Sequence, residues 1–184
     1  MLLAWALLTA CAGPAHQAEP PAPPNLVVLF VDDMGWGDAS YQADPGFDMP
    51  HLQRLADEGA RFSDFYVAQP VCSASRAALL TGCYSNRLGI HGALGPGATH
   101  GLADGETTLA ELCRQRGYAT ALFGKWHLGH RPPFLPTRHG FDRWHGIPYS
   151  NDMWPGHPEN PKHWGDLPTF RDEQVVAYNG DQRR

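Results

Sequence analysis

The strongest constraint on the fold is an unbroken apolar run, NLVVLFVDD (residues 25–33), which ends in two aspartates. A continuous run of this length, rich in β-branched residues, predicts a strand that is buried on both faces. Such strands belong to sheets with helices on both sides, so the run predicts an α/β fold with a mostly parallel sheet. At the carboxyl end of this strand, Asp32 and Asp33 would reach the edge where open α/β sheets bind ligands.

Helix and strand patterns alternate along the part of the chain that follows. Three segments have helical apolar spacing or a glycine stop, and they predict helices at residues 50–62, 75–82 and 107–117. The third begins with a capping box formed by Thr108 and Glu111. Two segments predict further strands, at residues 62–69 and 118–129. From Arg131 onward the sequence is rich in Pro, Gly, His and Trp, which predicts a long structured loop region.

Polar side chains at the ends of the predicted strands define a candidate site. Lys125 and His127 are two positions apart, so on an extended chain they would face the same ligand. Cys72 follows the second predicted strand and opens a helix, and Arg76 lies one turn later on the same face. The helix N-terminus adds partial positive charge at Cys72. Together with the two aspartates of the first strand, these groups suit a divalent cation and a tetrahedral oxyanion.

The N-terminus predicts export. Residues 2–10 (LLAWALLTA) are apolar and too short to span a bilayer as a helix. The sequence LTAC, which closes the signal-like segment 1–11, resembles a bacterial lipobox in which Cys11 is lipidated and anchors the protein. Ordinary signal-peptide cleavage nearby is the alternative. Residues 12–24 predict an extended Pro/Ala-rich tether, and the folded part is expected in the periplasm or on the outer membrane of a bacterium.

Charge and cysteine content restrict the function further. The net charge is −5 and no basic run occurs before the last two residues, which argues against a nucleic-acid surface. Export permits disulfides. If Cys11 is lipidated and Cys72 is reactive, Cys83 and Cys113 remain, either as a pair or as two buried thiols.

Four motifs occur in the order in which the sulfatase family has them. They are VVLFVDDMGWGD, FYVAQPVCSASRAALLTGCYSNRLG, GYATALFGKWHLG and LPTRHGFDRWHGIPYSND. The chain therefore resembles the N-terminal part of formylglycine-dependent, arylsulfatase A-like sulfatases, and the resemblance runs from about Asn25 to the end. It implies an alkaline-phosphatase-like α/β/α sandwich with a mostly parallel sheet, of which residues 25–184 are the N-terminal portion of the catalytic domain.

The resemblance also implies a role for each candidate residue. Cys72 would be oxidised by a formylglycine-generating enzyme, which reads Cys-x-Pro/Ala-x-Arg; here the sequence is CSASR, with Ala at the central position. Ca²⁺, which is favoured over Mg²⁺, would bind Asp32, Asp33 and the modified Cys72. Arg76 would hold the hydrate of the aldehyde. The remaining groups would contact the sulfate of an aryl sulfate or a sulfated glycan: Lys125, His127 and Ser150. The implied reaction is hydrolysis of sulfate monoesters.

Length is the main departure from the family pattern. Family members are much longer, and their further metal ligands, a late His and a late Lys lie in the second half. Asp181 and Gln182 look like a missing ligand pair, but no predicted strand delivers them to the site. The sequence is therefore interpreted as an N-terminal fragment that is inactive by itself. Two alternatives remain, a catalytically inactive remnant that serves as a tethered binding module, and a phosphoester or phosphonate hydrolase of the same superfamily.

Overall fold

A computed structural model describes residues 22–161 and 163–180 of the chain. It contains three helices, α1 (Pro50–Glu58), α2 (Cys72–Thr81) and α3 (Leu109–Gln115). Four strands follow, β1 (Ala121–Phe123), β2 (Arg143–Gly146), β3 (Pro168–Arg171) and β4 (Gln174–Tyr178). Short 3₁₀ turns lie at residues 36–38, 85–88, 132–134 and 136–138. No helix within the described ranges has both the length and the apolar character needed to cross a membrane. The segment 1–11 and its Cys11 lie outside the described residues.

The four strands form one mixed sheet in the order β1-β2-β3-β4. The first pair is parallel, with Leu122 of β1 opposite Trp144 of β2. The other two pairs are antiparallel. A mostly parallel sheet was predicted, and among the described strands only the β1–β2 pair is parallel. That pair has the strand–crossover–strand form expected of an α/β fold, whereas β3 and β4 form a hairpin with a bulge at Thr169 and Phe170.

The first predicted strand, residues 25–33, does not pair with any described strand. Residues 25–31 are extended but join no ladder among the described strands, and Val27 and Leu29 are 78% and 79% exposed. The segment nevertheless follows β1 in the same direction. Tyr118 donates a hydrogen bond to the Pro24 carbonyl oxygen at 2.9 Å at one end, and Lys125 contacts Asp32 at the other. The predicted strand buried on both faces is therefore not formed: the apolar segment lies alongside β1, but the sequence does not supply the hydrogen-bonding partner that a strand needs.

The second predicted strand, residues 62–69, is also absent. A turn at Ser63 and Asp64 interrupts it, where the serine hydroxyl donates to the carboxylate at 2.7 Å. The Phe62 and Phe65 rings lie 6.1 Å apart across this turn and both remain exposed. Aromatic content predicted a strand here, but the local serine–aspartate turn takes precedence over it.

The region after Arg131 contains more regular structure than predicted. It includes β2, β3 and β4, each four or five residues long. Because these strands are short and flanked by glycines and prolines, their sequences show little alternation of apolar and polar residues. The buried Trp144 and Phe170 rings stack at 4.9 Å and hold β2 against β3. The described residues between β2 and β3, 147–161 and 163–167, form the long loop that was expected.

The helices follow the sequence signals closely. Helix α1 ends at Gly59, and α2 ends at Gly82, which adopts the left-handed conformation with φ 69°. At α3 the Glu111 amide donates to Thr108 Oγ1 at 3.1 Å, and the Thr108 amide donates to Glu111 Oε2 at 2.8 Å. The buried Thr108 hydroxyl also donates to the His139 carbonyl oxygen at 2.8 Å. The predicted capping box is therefore present, and it also ties α3 to the turn before β2.

The core joins α2 to the sheet. Its buried members come from α2, from the loops and from three strands or their extensions, and they are Ala77, Ile90, Leu102, Trp126, Leu128, Leu135, Trp144 and Phe170. Cys83 and Cys113 are half-buried free thiols, so of the two states left open for them the structure has the unpaired one. The packing of α2 on the segment after β1 brings the predicted site residues of both elements together.

Candidate active site

Three charged side chains meet where α2 approaches the end of β1. Lys125 Nζ contacts Asp32 Oδ2, and Arg76 Nη2 lies 3.4 Å from Asp32 Oδ1. The side chains of Arg76 and Lys125 are 12% and 8% exposed, whereas that of Asp32 is 33% exposed. Two largely buried cations therefore share one partly open carboxylate, which gives this cluster of three side chains one net positive charge.

Helix α2 sets the position of Arg76. Its Nη1 donates to the Lys125 carbonyl oxygen at 2.9 Å, and its guanidinium carbon lies 5.2 Å above the centre of the Phe30 ring. These contacts fix the guanidinium plane against both neighbouring segments. Cys72 is the first residue of α2, one helical turn before Arg76, and it is a half-buried free thiol. The cysteine therefore lies at the helix N-terminus, on the face that carries the arginine.

His127 lies beside this cluster in an unusual backbone conformation. Its φ is +59°, so the extended geometry expected for residues 125–127 is wrong at this position. The side chain is fully buried, and neither ring nitrogen has a hydrogen-bond partner among the described residues. Burial, and then the positive charges of Lys125 and Arg76, lower the pKa of His127 to about 4, although Asp32 and Asp152 oppose the shift. The imidazole is therefore neutral at pH 7.

The charge state of Asp32 follows from competing effects. Its partial burial would raise the pKa, but the hydrogen bond and charge of Lys125, followed by those of Arg76, outweigh burial and lower it below the ordinary value. Asp32 is therefore ionised at neutral pH. An ionised carboxylate between two cations and next to a neutral imidazole gives the site its charge pattern.

Asp33 and Ser150 make fewer contacts with the cluster than the other site residues do. Asp33 is exposed, has φ +55°, and makes no hydrogen bond or ion pair within the part of the chain that the structure describes. Ser150 Oγ lies 3.4 Å from Lys125 Nζ. The structure thus brings Asp32, Arg76, Lys125 and Ser150 into contact. It places His127 within reach of their charges, and it leaves Asp33 next to them only along the chain.

A divalent metal is the group that the sequence implied for this site. Among the described residues, no group of three or more His, Cys, Asp or Glu side chains is arranged to hold a metal ion. The carboxylate oxygens of Asp32 and Asp33 are the hard donors that Ca²⁺ prefers, but six to eight oxygens are usual and both oxygens of Asp32 already face cations. The described residues therefore do not by themselves make up a calcium site.

Sequence reasoning missed two members of the site. Phe30 lies beneath the Arg76 guanidinium, and no pattern distinguishes it from the other apolar residues of its segment. Asp152 acts on His127 through its charge. Its place two residues after Ser150 was a usable signal, because the same loop delivers both.

Solved structures place the fold in a known class. The crystal structure of Ps i-CgsB matches with a TM-score of 0.67 and 30% identity, over 79% of this chain and 35% of that one. The PsFucS1 sulfatase from Pseudoalteromonas sp. matches with a TM-score of 0.65 and 38% identity, over 71% of this chain and 27% of that one. The fold is therefore that of the alkaline-phosphatase-like α/β proteins, as predicted. The sequence profile of the Sulfatase family matches residues 24–182, and the chain belongs to the sulfatase family.

Curated relatives agree with this assignment. Human N-acetylgalactosamine-6-sulfatase is 42% identical over 165 residues, which are 85% of this chain and 31% of that protein. Arylsulfatase A of Bos taurus is 46% identical over 154 residues, which are 82% of this chain and 30% of that protein. The chain thus spans about a third of the length of these relatives.

Proposed function

We propose that this chain is the N-terminal part of an enzyme that hydrolyses sulfate monoesters. The observation that carries the proposal is the ion-pair cluster of Asp32, Arg76 and Lys125 beside the helix that begins at Cys72. The one net positive charge of this cluster suits a sulfate group, and family membership supports the same chemistry. The named activities of the relatives, on N-acetylgalactosamine 6-sulfate and on aryl sulfates, are the models for this proposal.

The proposed nucleophile is formylglycine made from Cys72 by a formylglycine-generating enzyme. The sequence from Cys72 to Arg76 has the cysteine and arginine spacing that this maturation requires, with Ala74 at the central position. A hydrated aldehyde here would carry two hydroxyls on one carbon, so one could attack sulfur and the other could later expel sulfate. The helix N-terminus and Arg76 would stabilise the negative charge that develops on this group.

The chain's own side chains supply the rest of the proposed chemistry. Lys125 and Ser150, 3.4 Å apart, would bind sulfate oxygens, with Arg76 fixing the nucleophile. His127 is neutral at pH 7, since its pKa is about 4, so a ring nitrogen is free to accept a proton from a hydroxyl. Neither ring nitrogen has a hydrogen-bond partner among the described residues, although the ring is fully buried. Fixed donors aimed at developing charge are usually the largest catalytic effect.

We propose Ca²⁺ as the metal of the complete site, with Asp32, Asp33 and position 72 among its ligands. Carboxylate oxygens support calcium over softer metals. The ion would supply a positive charge that polarises sulfate and lowers the pKa of a bound hydroxyl. The described residues provide only part of the donor set, so further oxygens are required.

The proposed cellular context follows from the N-terminal sequence. We propose export, with lipidation at Cys11 as the anchor and the Pro/Ala-rich residues 12–24 as the tether. An exported enzyme would encounter sulfated glycans outside the cytoplasm. A similar solved structure, that of Ps i-CgsB, is in complex with the oligosaccharide k-i-k-neocarrahexaose. A tethered hydrolase facing such material is consistent with both observations.

The experiment is maturation of the 184-residue chain in cells that coexpress a formylglycine-generating enzyme. Mass spectrometry of the tryptic peptides should show conversion at Cys72, while the half-buried thiols Cys83 and Cys113 stay unmodified as internal controls. Arg76→Ala should prevent conversion, and the matched variant Arg87→Ala should not. An unmodified Cys72, under conditions that convert a known sulfatase, would count against the proposal.

A further inference from the structure

Trp126 lies between two site residues, Lys125 and His127, and the proposed chemistry gives it no role. Its side chain is 1% exposed, so the indole belongs to the core. The backbone of this segment is held as well. The Trp126 amide donates to the Ile147 carbonyl oxygen at 3.0 Å, and the next amide donates to the Pro148 carbonyl oxygen at 3.1 Å. Because one short segment carries all three side chains, a shift of the indole would be transmitted to both site residues.

The backbone at His127 requires support from outside the site. Its φ of +59° lies in the left-handed region, which a residue other than glycine keeps only when surrounding contacts hold it there. The neighbouring Trp126 indole supplies such contacts. Its Nε1 donates to the Phe134 carbonyl oxygen at 2.7 Å, and the Phe141 ring meets it edge to face with centroids 6.2 Å apart. Groups of the core therefore fix both the position and the orientation of this indole.

His139 is a further group that contacts the indole. Its imidazole stacks on the Trp126 ring, with centroids 5.9 Å apart and 26° between the planes. The imidazole is fully buried, and neither ring nitrogen makes a hydrogen bond of ordinary geometry among the described residues. A buried polar ring without such a bond requires another explanation. Stacking on the indole is the contact that the structure gives it.

The backbone on both sides of His139 is tied to the rest of the protein. Its amide donates to the Pro136 carbonyl oxygen at 2.9 Å, and its carbonyl oxygen accepts from the Thr108 hydroxyl at 2.8 Å. The next residue, Gly140, packs so closely on the first turn of α3 that a Cβ atom there would lie 2.3 Å from the Glu111 amide nitrogen. His139 is therefore a rigid support, and its imidazole can hold the indole in place.

The charge state of His139 suits this role. Burial lowers its pKa, although the charges of Asp104 and Glu111 and the nearby Pro133 carbonyl group oppose the shift. The imidazole is therefore neutral at pH 7. A neutral ring can stack on an indole without adding an unpaired charge to the core.

We propose that His139 is a positioning residue for Lys125 and His127, and that it acts through the Trp126 indole. The imidazole fixes the plane of the indole, and the indole fixes the short backbone segment that carries the two site residues. His139 is not a catalytic residue, because it acts on the site through another side chain. The inference rests on the proposed function only for its ligand, sulfate, since the positioning itself is a property of the fold.

The test compares His139→Ala with His139→Phe in the 184-residue chain, with inorganic sulfate as the probe and NMR of the His127 imidazole as the readout. His139→Ala removes the stacked ring, so sulfate affinity should fall about three- to tenfold. The pKa of His127 should also rise from about 4, because a looser segment admits water and reduces its burial. His139→Phe keeps a ring against the indole and should leave both quantities near those of the original chain.

Leu167→Ala is the matched control for lost core packing. This leucine is 1% exposed and lies at the base of the β3–β4 hairpin, where its amide donates to Asn179 Oδ1 at 2.8 Å. The change should lower the free energy of unfolding, as His139→Ala does, but it should leave sulfate affinity and the His127 pKa unchanged. If His139→Ala fails to fold, His139→Leu takes its place, because leucine keeps apolar volume without a ring, and it should give the same loss of affinity.

The outcomes separate this inference from the proposed function. Unchanged sulfate affinity and an unchanged His127 pKa in folded His139→Ala or His139→Leu would overturn the positioning role. Changes of equal size in His139→Phe or in Leu167→Ala would overturn it as well, because stacking would then not be the cause. Failure of the original chain to bind inorganic sulfate would instead count against the proposed function, and the His127 pKa would still decide the positioning role.

Discussion

At the residue scale, His127 shows how the site controls protonation. The folded-state pKa of about 4 lies below the ordinary value of 6.5, so the unfolded chain binds a proton first as the pH falls. The free energy of unfolding should therefore decrease as the pH drops from about 6.5 to about 4, and above that window His127 has no such effect. Burial, together with the positive charges of Lys125 and Arg76, thus keeps the imidazole neutral at pH 7.

The contribution of Lys125 to this control can be measured directly. Lys125→Met removes a positive charge beside His127, so the pKa of His127 should rise from about 4 towards 6.5. The pKa of Asp32 should rise as well, because Lys125 is the first of the groups that lower it. NMR titration of the imidazole signals measures the first change.

Arg87→Met serves as the matched control for this titration, since it removes a positive charge from the 3₁₀ turn at Ser85–Leu88, away from the site. It should leave the His127 titration where it was. A His127 pKa that stays near 4 in Lys125→Met would show that the Lys125 charge does not contribute to it, contrary to the charge pattern described here.

The sequence predicted which charged residues form the site, but it did not predict the backbone conformation of His127 or the contact made by Phe30. Order along the chain and helical spacing predicted that Asp32, Arg76 and Lys125 would meet, although the strands expected before the first two are not formed. The same reasoning failed for the orientation of His127, since it assumed an extended chain where φ is +59°. Phe30 was unpredictable because its contact with the Arg76 guanidinium joins residues far apart in sequence.

At the element scale, the helices were predictable, whereas only one of the three predicted strands, residues 118–129, contains a strand, β1. A helix is specified locally: a cap at Thr108 and a glycine such as Gly82 define its ends with no outside partner. A strand requires a neighbour, and the sequence of residues 25–33 does not contain one. The parallel β1–β2 pair shows the same limit, because β2 (Arg143–Gly146) has too few residues to display a period.

The cap of α3 has a larger structural role than a usual helix start. Thr108→Ala would remove the acceptor for the Glu111 amide and leave the His139 carbonyl oxygen without its donor in a buried place. Loss of a cap and of a buried hydrogen bond together should lower the free energy of unfolding by about 2 kcal/mol. Urea denaturation followed by circular dichroism measures it.

Thr108→Ser is the control for the cap, because serine keeps the hydroxyl and loses only a methyl group. It should retain most of the stability. Equal losses in the two variants would mean that packing of the methyl group, and not the hydrogen bonds, stabilises this end of α3.

At the scale of the whole molecule, the distribution of apolar surface is unusual. Residues 26–31 are all apolar and at least 36% exposed, and Phe62, Phe65, Tyr66 and Val67 add further exposed apolar area. Large apolar patches on soluble proteins mark contacts with other surfaces or a tendency to associate. The described chain should therefore self-associate as its concentration rises.

Val27→Lys tests this expectation. The side chain is 78% exposed, so the change should leave the free energy of unfolding within about 0.5 kcal/mol of the original. A charge in the middle of the patch should nevertheless reduce association, as measured by analytical ultracentrifugation over a range of concentrations. His51→Lys adds the same charge on the exposed face of α1 and should have little effect. Equal association of Val27→Lys and the original chain would show that another surface is responsible.

Asp33 and His127 both adopt left-handed backbone conformations, at φ +55° and +59°. Each such conformation costs about 1 kcal/mol in a residue that is not glycine. A directed-evolution campaign that selected only for heat resistance would therefore be drawn to glycine at the exposed Asp33, because glycine relieves the strain there without leaving a cavity. The selected proteins would melt later while losing a carboxylate from the site. Any effort to stabilise this scaffold needs a ligand-binding screen alongside the thermal one.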